Sequence, residues 1–229
     1  MSKDLILEQA FSSFFLNEIQ VNYLGDINLS PETVYQFELG LDWHRPTYGL
    51  SPRLFYHHVD DYIQGVATAQ ANTLQFANVD ARLYGLDTSW YLTLNNQWQL
   101  DGTISYVRGE RRDSNDNLYR IAPLTNRVQL NYFKSDCQLG LSMVNVAAQN
   151  KVSAENTEQK SSGYSLFHLT GQYQLDQNLT VHAGIDNLFD RRYQDHLGGY
   201  NRVQNPDIPV GERLYGVGRS AYLAVNYQW

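Results

Sequence analysis

Tyr35-Gln36-Phe37-Glu38-Leu39-Gly40-Leu41-Asp42-Trp43-His44 places Tyr, Phe, Leu, Leu and Trp on its odd positions and Gln, Glu, Gly, Asp and His on its even ones. Successive side chains of a strand point to opposite faces, so this stretch predicts one wholly apolar face and one polar face. The period-two pattern recurs along the chain. Leu50–Val59 alternates less cleanly, with Leu50, Leu54 and Tyr56 on the apolar face. Tyr84, Leu86, Thr88, Trp90, Leu92 and Leu94 form one face of the next run, and Trp98, Leu100, Gly102, Ile104 and Tyr106 one face of another. Further runs put Val128, Leu130, Tyr132; Cys137, Leu139, Leu141, Met143; and Phe167, Leu169, Gly171, Tyr173, Leu175 on their apolar sides. Leu179, Val181, Ala183, Ile185 and finally Ala221, Leu223, Val225, Tyr227, Trp229 complete the series. The reading is all-β, with about nine antiparallel strands, several near the ~9–11 residues that cross a bilayer when tilted.

The connections separate into two kinds. Short ones follow Trp43, Leu94, Phe133 and Leu175; long polar ones are expected at Asp60–Asp80, Val107–Leu124, Ala148–Gly163 and Asn187–Gly218. Long loops at one end and tight turns at the other are the pattern of a transmembrane barrel, with long extracellular loops and short periplasmic turns. None of the apolar faces carries Lys, Arg, Asp or Glu, whereas the opposite faces carry Glu38, Asp42, Asp87, Asp101, Arg127 and Asp186. A cation facing lipid at the bilayer midplane costs about 2–4 kcal/mol, and one facing a wet lumen does not. Tyr35, Trp43, Tyr84, Trp98, Tyr106, Tyr132, Tyr173, Tyr227 and Trp229 lie near strand ends, where aromatic girdles belong. Alternation by itself also fits a soluble antiparallel β-domain such as a lipocalin-like barrel.

Composition narrows the classes. The 229 residues carry a formal charge of -7, which argues against a general nucleic-acid binder. No apolar run has the ~18 residues of a membrane helix. A single cysteine, Cys137, rules out an internal disulfide framework. The first residues, MSKDLILEQAFSS, hold no cationic stretch followed by an apolar core, so no secretory signal is read there.

Three stretches carry a family likeness. Leu24-Gly25-Asp26-Ile27-Asn28-Leu29-Ser30-Pro31-Glu32 precedes the YQFELGLDW strand; Gly184-Ile185-Asp186-Asn187-Leu188-Phe189-Asp190-Arg191-Arg192-Tyr193 ends a late strand; Gly218-Arg219 leads into a strand stopping on Trp229. Together they resemble TonB-dependent outer-membrane receptors, with Val217 where that family usually has proline. NLFDRRY is the most specific of the three. The resemblance implies a receptor of about 22 strands around a plugged lumen, of which these strands would be the last part. It therefore implies a C-terminal barrel portion over residues 33–229, not closed on its own, and an extracellular-loop remnant or partial strand over residues 1–32. It also implies energy-coupled uptake of a ferric siderophore or similar metal complex across the outer membrane of a Gram-negative bacterium, without catalysis and without a cofactor. Implied partners are outer-membrane lipid and lipopolysaccharide, the metal chelate, the outer-membrane assembly machinery, and TonB only through a missing N-terminal part.

Candidate ligand contacts are the cationic and aromatic loop residues Arg108, Arg111, Arg112, Tyr119 and Arg120, then His196 and Tyr200 in the last loop, since Arg with Tyr suits an anionic aromatic chelate. The alternative for RGERRD is a solvated loop pairing Arg111 and Arg112 with Glu110 and Asp113, or touching lipopolysaccharide phosphate. Pro31, Glu32, Asn187, Leu188, Phe189, Asp190, Tyr193, Gly218 and Arg219 are read as structural, because Asp and Asn there can hydrogen-bond local backbone and end a strand. Leu223, Val225, Tyr227 and Trp229 resemble an outer-membrane assembly signal. His57 and His58 are adjacent on a strand and point apart, so no shared metal ion is expected. If Leu175 pairs with Leu179, His168 faces Asp186 and His182 faces Gln172 on the polar side. Competing functions are a passive porin, an outer-membrane hydrolase in which Ser, His and Asp meet, and a soluble ligand-binding β-barrel.

Overall fold

The computed structural model describes residues 22–70, 73–204 and 207–229. What was expected of residues 1–21 lies outside the described residues. The strands are β1 (Asn22–Leu24), β2 (Thr33–Gly40), β3 (Trp43–His44), β4 (Tyr48–Ala67), β5 (Thr73–Thr93), β6 (Trp98–Arg111), β7 (Thr125–Lys134), β8 (Cys137–Val146), β9 (Tyr164–Gln174), β10 (Leu179–Asp186) and β11 (Ser220–Tyr227). One sheet holds them all. Nine follow the order β11-β10-β9-β8-β7-β6-β5-β4-β2; β3 extends the β2 edge along β4, and β1 pairs with β5 in parallel. β2 and β11 stand at opposite ends and do not pair, so the sheet is open, as expected.

Burial is inverted relative to a water-soluble sheet. On the polar face Asn131 and Ser142 are each only 5% exposed, whereas Leu141 and Leu169 on the apolar face are 43% and 41% exposed. The sheet therefore curls towards its polar face and leaves Phe37, Leu39, Leu54, Leu139 and Leu223 outside. Inside, side chains hydrogen-bond from strand to strand. Asn131 donates to Asp101 (2.5 Å), Gln129 to Asn131 (2.7 Å), and Ser105 to Asp87 (2.6 Å). His168 Nδ1 lies 2.9 Å from Asp186 Oδ1, and His182 pairs with Gln172, because the Leu175 N–H donates to the Leu179 carbonyl and sets the expected register.

Short turns close one end. Asn95 accepts from the N–H groups of Gln97 and Trp98, and Asp176 from those of Asn178 and Leu179, which is Asx-turn chemistry. At the other end the expectation for Asp60–Asp80 needs correction. β4 runs to Ala67 and β5 starts at Thr73, leaving only a short tip. A bulge between Val59 and Tyr62, with Asp61 at φ 59°, shifts the register and hides the continuing strand from a period-two reading. β6 likewise extends through Arg111, into the span expected to be a loop.

Polarity changes sign at this upper end. On the outer face Tyr56 is followed upward by His58, Tyr84 by Arg82 and Tyr106 by Arg108. On the next strands Val128 gives way to Asn126, Met143 to Asn145 and Phe167 to Ser165. Above that row the apolar residues turn inward: Val59, Val79, Ala81 and Leu118 form a buried cluster flanked by Tyr62, Val66, Leu83 and Ile121. The upper hairpin thus behaves as an ordinary water-soluble structure, with an inner hydrophobic contact covered by a loop.

Candidate functional site

The upper loops, residues 112–124, 147–163 and 187–219, are tied to one another by side chains. The Asp116 carboxylate accepts from Ala154 N (2.8 Å), Glu155 N (3.0 Å) and Ser153 Oγ (3.0 Å). Asn117 donates to the Val152 carbonyl at 2.8 Å, and Gln149 to that of Ile121 at 3.0 Å. Burial pushes the Asp116 carboxyl up, but the N–H groups of Glu155 and Ala154 outweigh it and leave Asp116 below the usual carboxylate range. The hydrogen bond from Arg111 does the same for Asp113, against a smaller effect of burial.

A second tie joins the last two loops. His196, 2% exposed, has Nδ1 3.0 Å from Ser161 Oγ, and its Nε2 lies 3.2 Å from Glu158 Oε1, close enough for charge but not aligned for a hydrogen bond. Glu158 also accepts from Arg120 N (2.9 Å) and Ser153 N (2.9 Å). Arg213, 4% exposed, donates to the Gln159 carbonyl (2.9 Å), the Tyr200 hydroxyl (2.8 Å) and the His196 carbonyl, and stacks over the Tyr200 ring. Ser161, His196 and Glu158 have the residue types of a hydrolytic triad. Their chemistry is structural: His196 and Glu158 are sealed from solvent, and the carboxylate is spent on backbone N–H groups of two loops.

The RGERRD cations are paired, partly with acids distant in the sequence. Arg111 meets Asp113 (2.7 Å) and also Glu155; Arg112 reaches Asp60, Asp80 (3.5 Å) and His58; Arg108 meets Glu110 (3.0 Å) and Asn117 (2.6 Å). Arg108 and Arg112 share the outer parity of Tyr106, and Arg111 the inner one. Arg120 donates to the Leu197 carbonyl. The candidate residues thus fall into two groups, Arg108, Arg111 and Arg112 on the β6 rim and Arg120, His196 and Tyr200 in the loop tie; Tyr119 joins the β4 extension through its N–H to Gln64 (3.3 Å). Asp116, Glu158 and Arg213 were not singled out in the sequence. A lone Asp, Glu or Arg in a polar loop has no spacing pattern, and Gln159 lies 54 residues from Arg213. His57 and His58 do point apart, the first beside Glu38 (3.7 Å) and the second beside Asp60 (3.4 Å). Among the described residues no three His, Cys, Asp or Glu gather as a metal site requires.

The motif residues hold chain to chain. Glu32 accepts the Ile63 N–H at 2.7 Å, just past the bulge, and the Asn78 amide brackets Ser30 through its N–H and its carbonyl. Asn187, 3% exposed and at φ 49°, donates to the carbonyls of Arg191 (2.9 Å) and Val217 (3.2 Å) and accepts from Arg191 N (2.8 Å). Asp190 accepts from Arg219 N at 2.8 Å, so both ends of the last loop are clamped. Phe189 packs edge-on against Phe167, and a Cβ on Gly216 would strike the Tyr193 ring. Leu223, Val225 and Tyr227 are exposed on the outer face of β11, with Trp229 just beyond it.

Comparison with known proteins agrees with this architecture. A family model described as "TonB dependent receptor-like, beta-barrel" matches residues 8–188. The vitamin B12 transporter BtuB of Vibrio vulnificus (strain YJ016) is 23% identical over 222 residues, covering 96% of this chain and 33% of its own. The copper transporter OprC superposes with a TM-score of 0.81 at 27% identity, over 89% of this chain and 33% of that one. The siderophore receptor PirA from Pseudomonas aeruginosa gives 0.60 at 18% identity, over 93% and 34%. The chain spans about a third of the length of these relatives. With an open wall of antiparallel strands, apolar outside and polar inside, matched by that family model over most of its length, the chain belongs to the TonB-dependent receptor β-barrel family.

Proposed function

We propose that residues 33–229 form the C-terminal wall of an outer-membrane receptor that imports a ferric siderophore or a similar metal complex, driven through TonB. The observation that carries this reading is the inverted burial, with Leu141 and Leu169 outside and Asn131 and Ser142 inside. Hydrocarbon is the solvent that suits such an outer face. The upper loops then face the cell exterior and contribute to ligand capture, with Arg111, Tyr119, Arg120 and Tyr200 towards the vestibule, the sealed His196 bracing the loops behind them, and Arg108 and Arg112 at its outer rim. Uptake, not catalysis, is the activity. Leu223, Val225, Tyr227 and Trp229 serve as the face read by the assembly machinery.

The test is a chimera in which residues 33–229 replace the matching third of the V. vulnificus vitamin B12 transporter. Expected is an outer-membrane protein that takes up cobalamin, a ferric catecholate or a copper complex only in cells with TonB. Recovery as a soluble protein, or uptake indifferent to TonB, overturns the reading.

A further inference from the structure

We propose that the outer wall over β7–β9 carries a binding site for the phosphate of a lipid headgroup, centred on Arg191. The inference rests on the membrane reading above. A cleft of about 630 Å³ opens there, lined by Asn126, Asn145, Ser165, Leu124 and Arg191, and no carboxylate lines it. Asn126, Asn145 and Ser165 form one register row, joined by the Ser165 hydroxyl donating to Asn145 at 2.6 Å. This row has the outer parity and sits directly above Val128, Met143 and Phe167, where the apolar face ends. A lipid whose chains lie along those apolar columns brings its headgroup into the cleft.

Charge selects which headgroup fits. On the neighbouring strands the rim cations are neutralised within the protein, Arg82 and Arg108 by Glu110 and Arg112 by Asp60 and Asp80. The Arg191 guanidinium forms no ion pair or hydrogen bond among the described residues, while its backbone is fixed by the Asn187 side chain through both N–H and carbonyl. A positioned guanidinium with no ion-pair partner among the described residues, in one cleft with the side-chain amides of Asn126 and Asn145, is the chemistry of phosphate recognition.

The experiment refolds the full 229-residue chain into phosphatidylcholine vesicles holding trace chain-labelled spin probes of phosphatidic acid or phosphatidylcholine. Electron spin resonance reads the fraction of each probe slowed by the protein. Expected is a slowed fraction for both probes, with phosphatidic acid favoured about fivefold, falling to near parity in Arg191→Gln and retained in large part in Arg191→Lys. Excess inorganic phosphate, against chloride at equal ionic strength, leaves the preference standing. A slowed fraction without preference, or a preference that Arg191→Gln does not change, overturns the site alone. Loss of the preference to inorganic phosphate shows a free-anion site and overturns the lipid assignment. No slowed fraction with either probe overturns the membrane reading and this site with it.

Discussion

The strand wall and the loop assembly above it obey opposite rules. In the wall, leucines face out and asparagines face in; in the upper hairpin, Val59, Val79, Ala81 and Leu118 are covered and Asp60, Asp80 and Arg82 face out. The crossover falls one register step above Tyr56, Tyr84 and Tyr106. The same strands cross that line without interruption, so backbone hydrogen bonding is indifferent to the change and only the side chains report it. The surrounding solvent, not the secondary structure, decides which face is apolar.

The sharpest way to break this contrast is a charge on the wall. Leu141→Arg should cost about 2–4 kcal/mol in the vesicle-refolded protein, read from its urea midpoint, whereas Gln172→Arg on the inner face should stay within about 0.5 kcal/mol. Equal losses would mean that the two faces share one environment. In the loops, Arg213→Ala strands the carbonyls of Gln159 and His196, and about 2–3 kcal/mol of local stability should go. Proteolysis of residues 187–219 should quicken while the urea midpoint of the wall stays put; a shift of both together would contradict the separation.

Smaller effects sharpen it. The Asp116 carboxyl sits below the ordinary aspartate value of 3.8, so its stabilisation is complete above that pH and is lost as pH falls through the lowered value. Protease sensitivity of residues 147–163 should therefore rise below about pH 3.8. In Asp116→Asn, looser by about 1–2 kcal/mol at neutral pH, that rise should be blunted. Glu32→Ala removes the acceptor of the Ile63 N–H and should cost about 1 kcal/mol, seen as faster amide exchange at Ile63 with little change elsewhere.

The strands were legible because period two is a local property. Tyr35–Trp43 and its successors declared their faces residue by residue, and the odd-length turn between Leu175 and Leu179 was enough to place His168 opposite Asp186. Legibility failed where a bulge at Val59–Tyr62 shifted parity and where the polarity of the faces inverted, since both turned strand into apparent loop. Asn187 was readable as a local backbone cap and bonds Arg191 four residues on, whereas Asp190, read the same way, reaches the N–H of Arg219, 29 residues away.

Alternation in the amino-acid sequence determined the number of wall strands, their order of faces and the end at which the long loops gather, because each depends only on neighbours two residues apart or on segment length. Tertiary structure alone decided that Glu158 meets His196, that Asp116 binds a loop 37 or more residues away, and that the Arg191 side chain has no ion-pair partner among the described residues while Arg108 and Arg112 have theirs. Those are contacts between segments with no common period, and their partners are chosen by how the loops fold over the sheet, which no local pattern encodes.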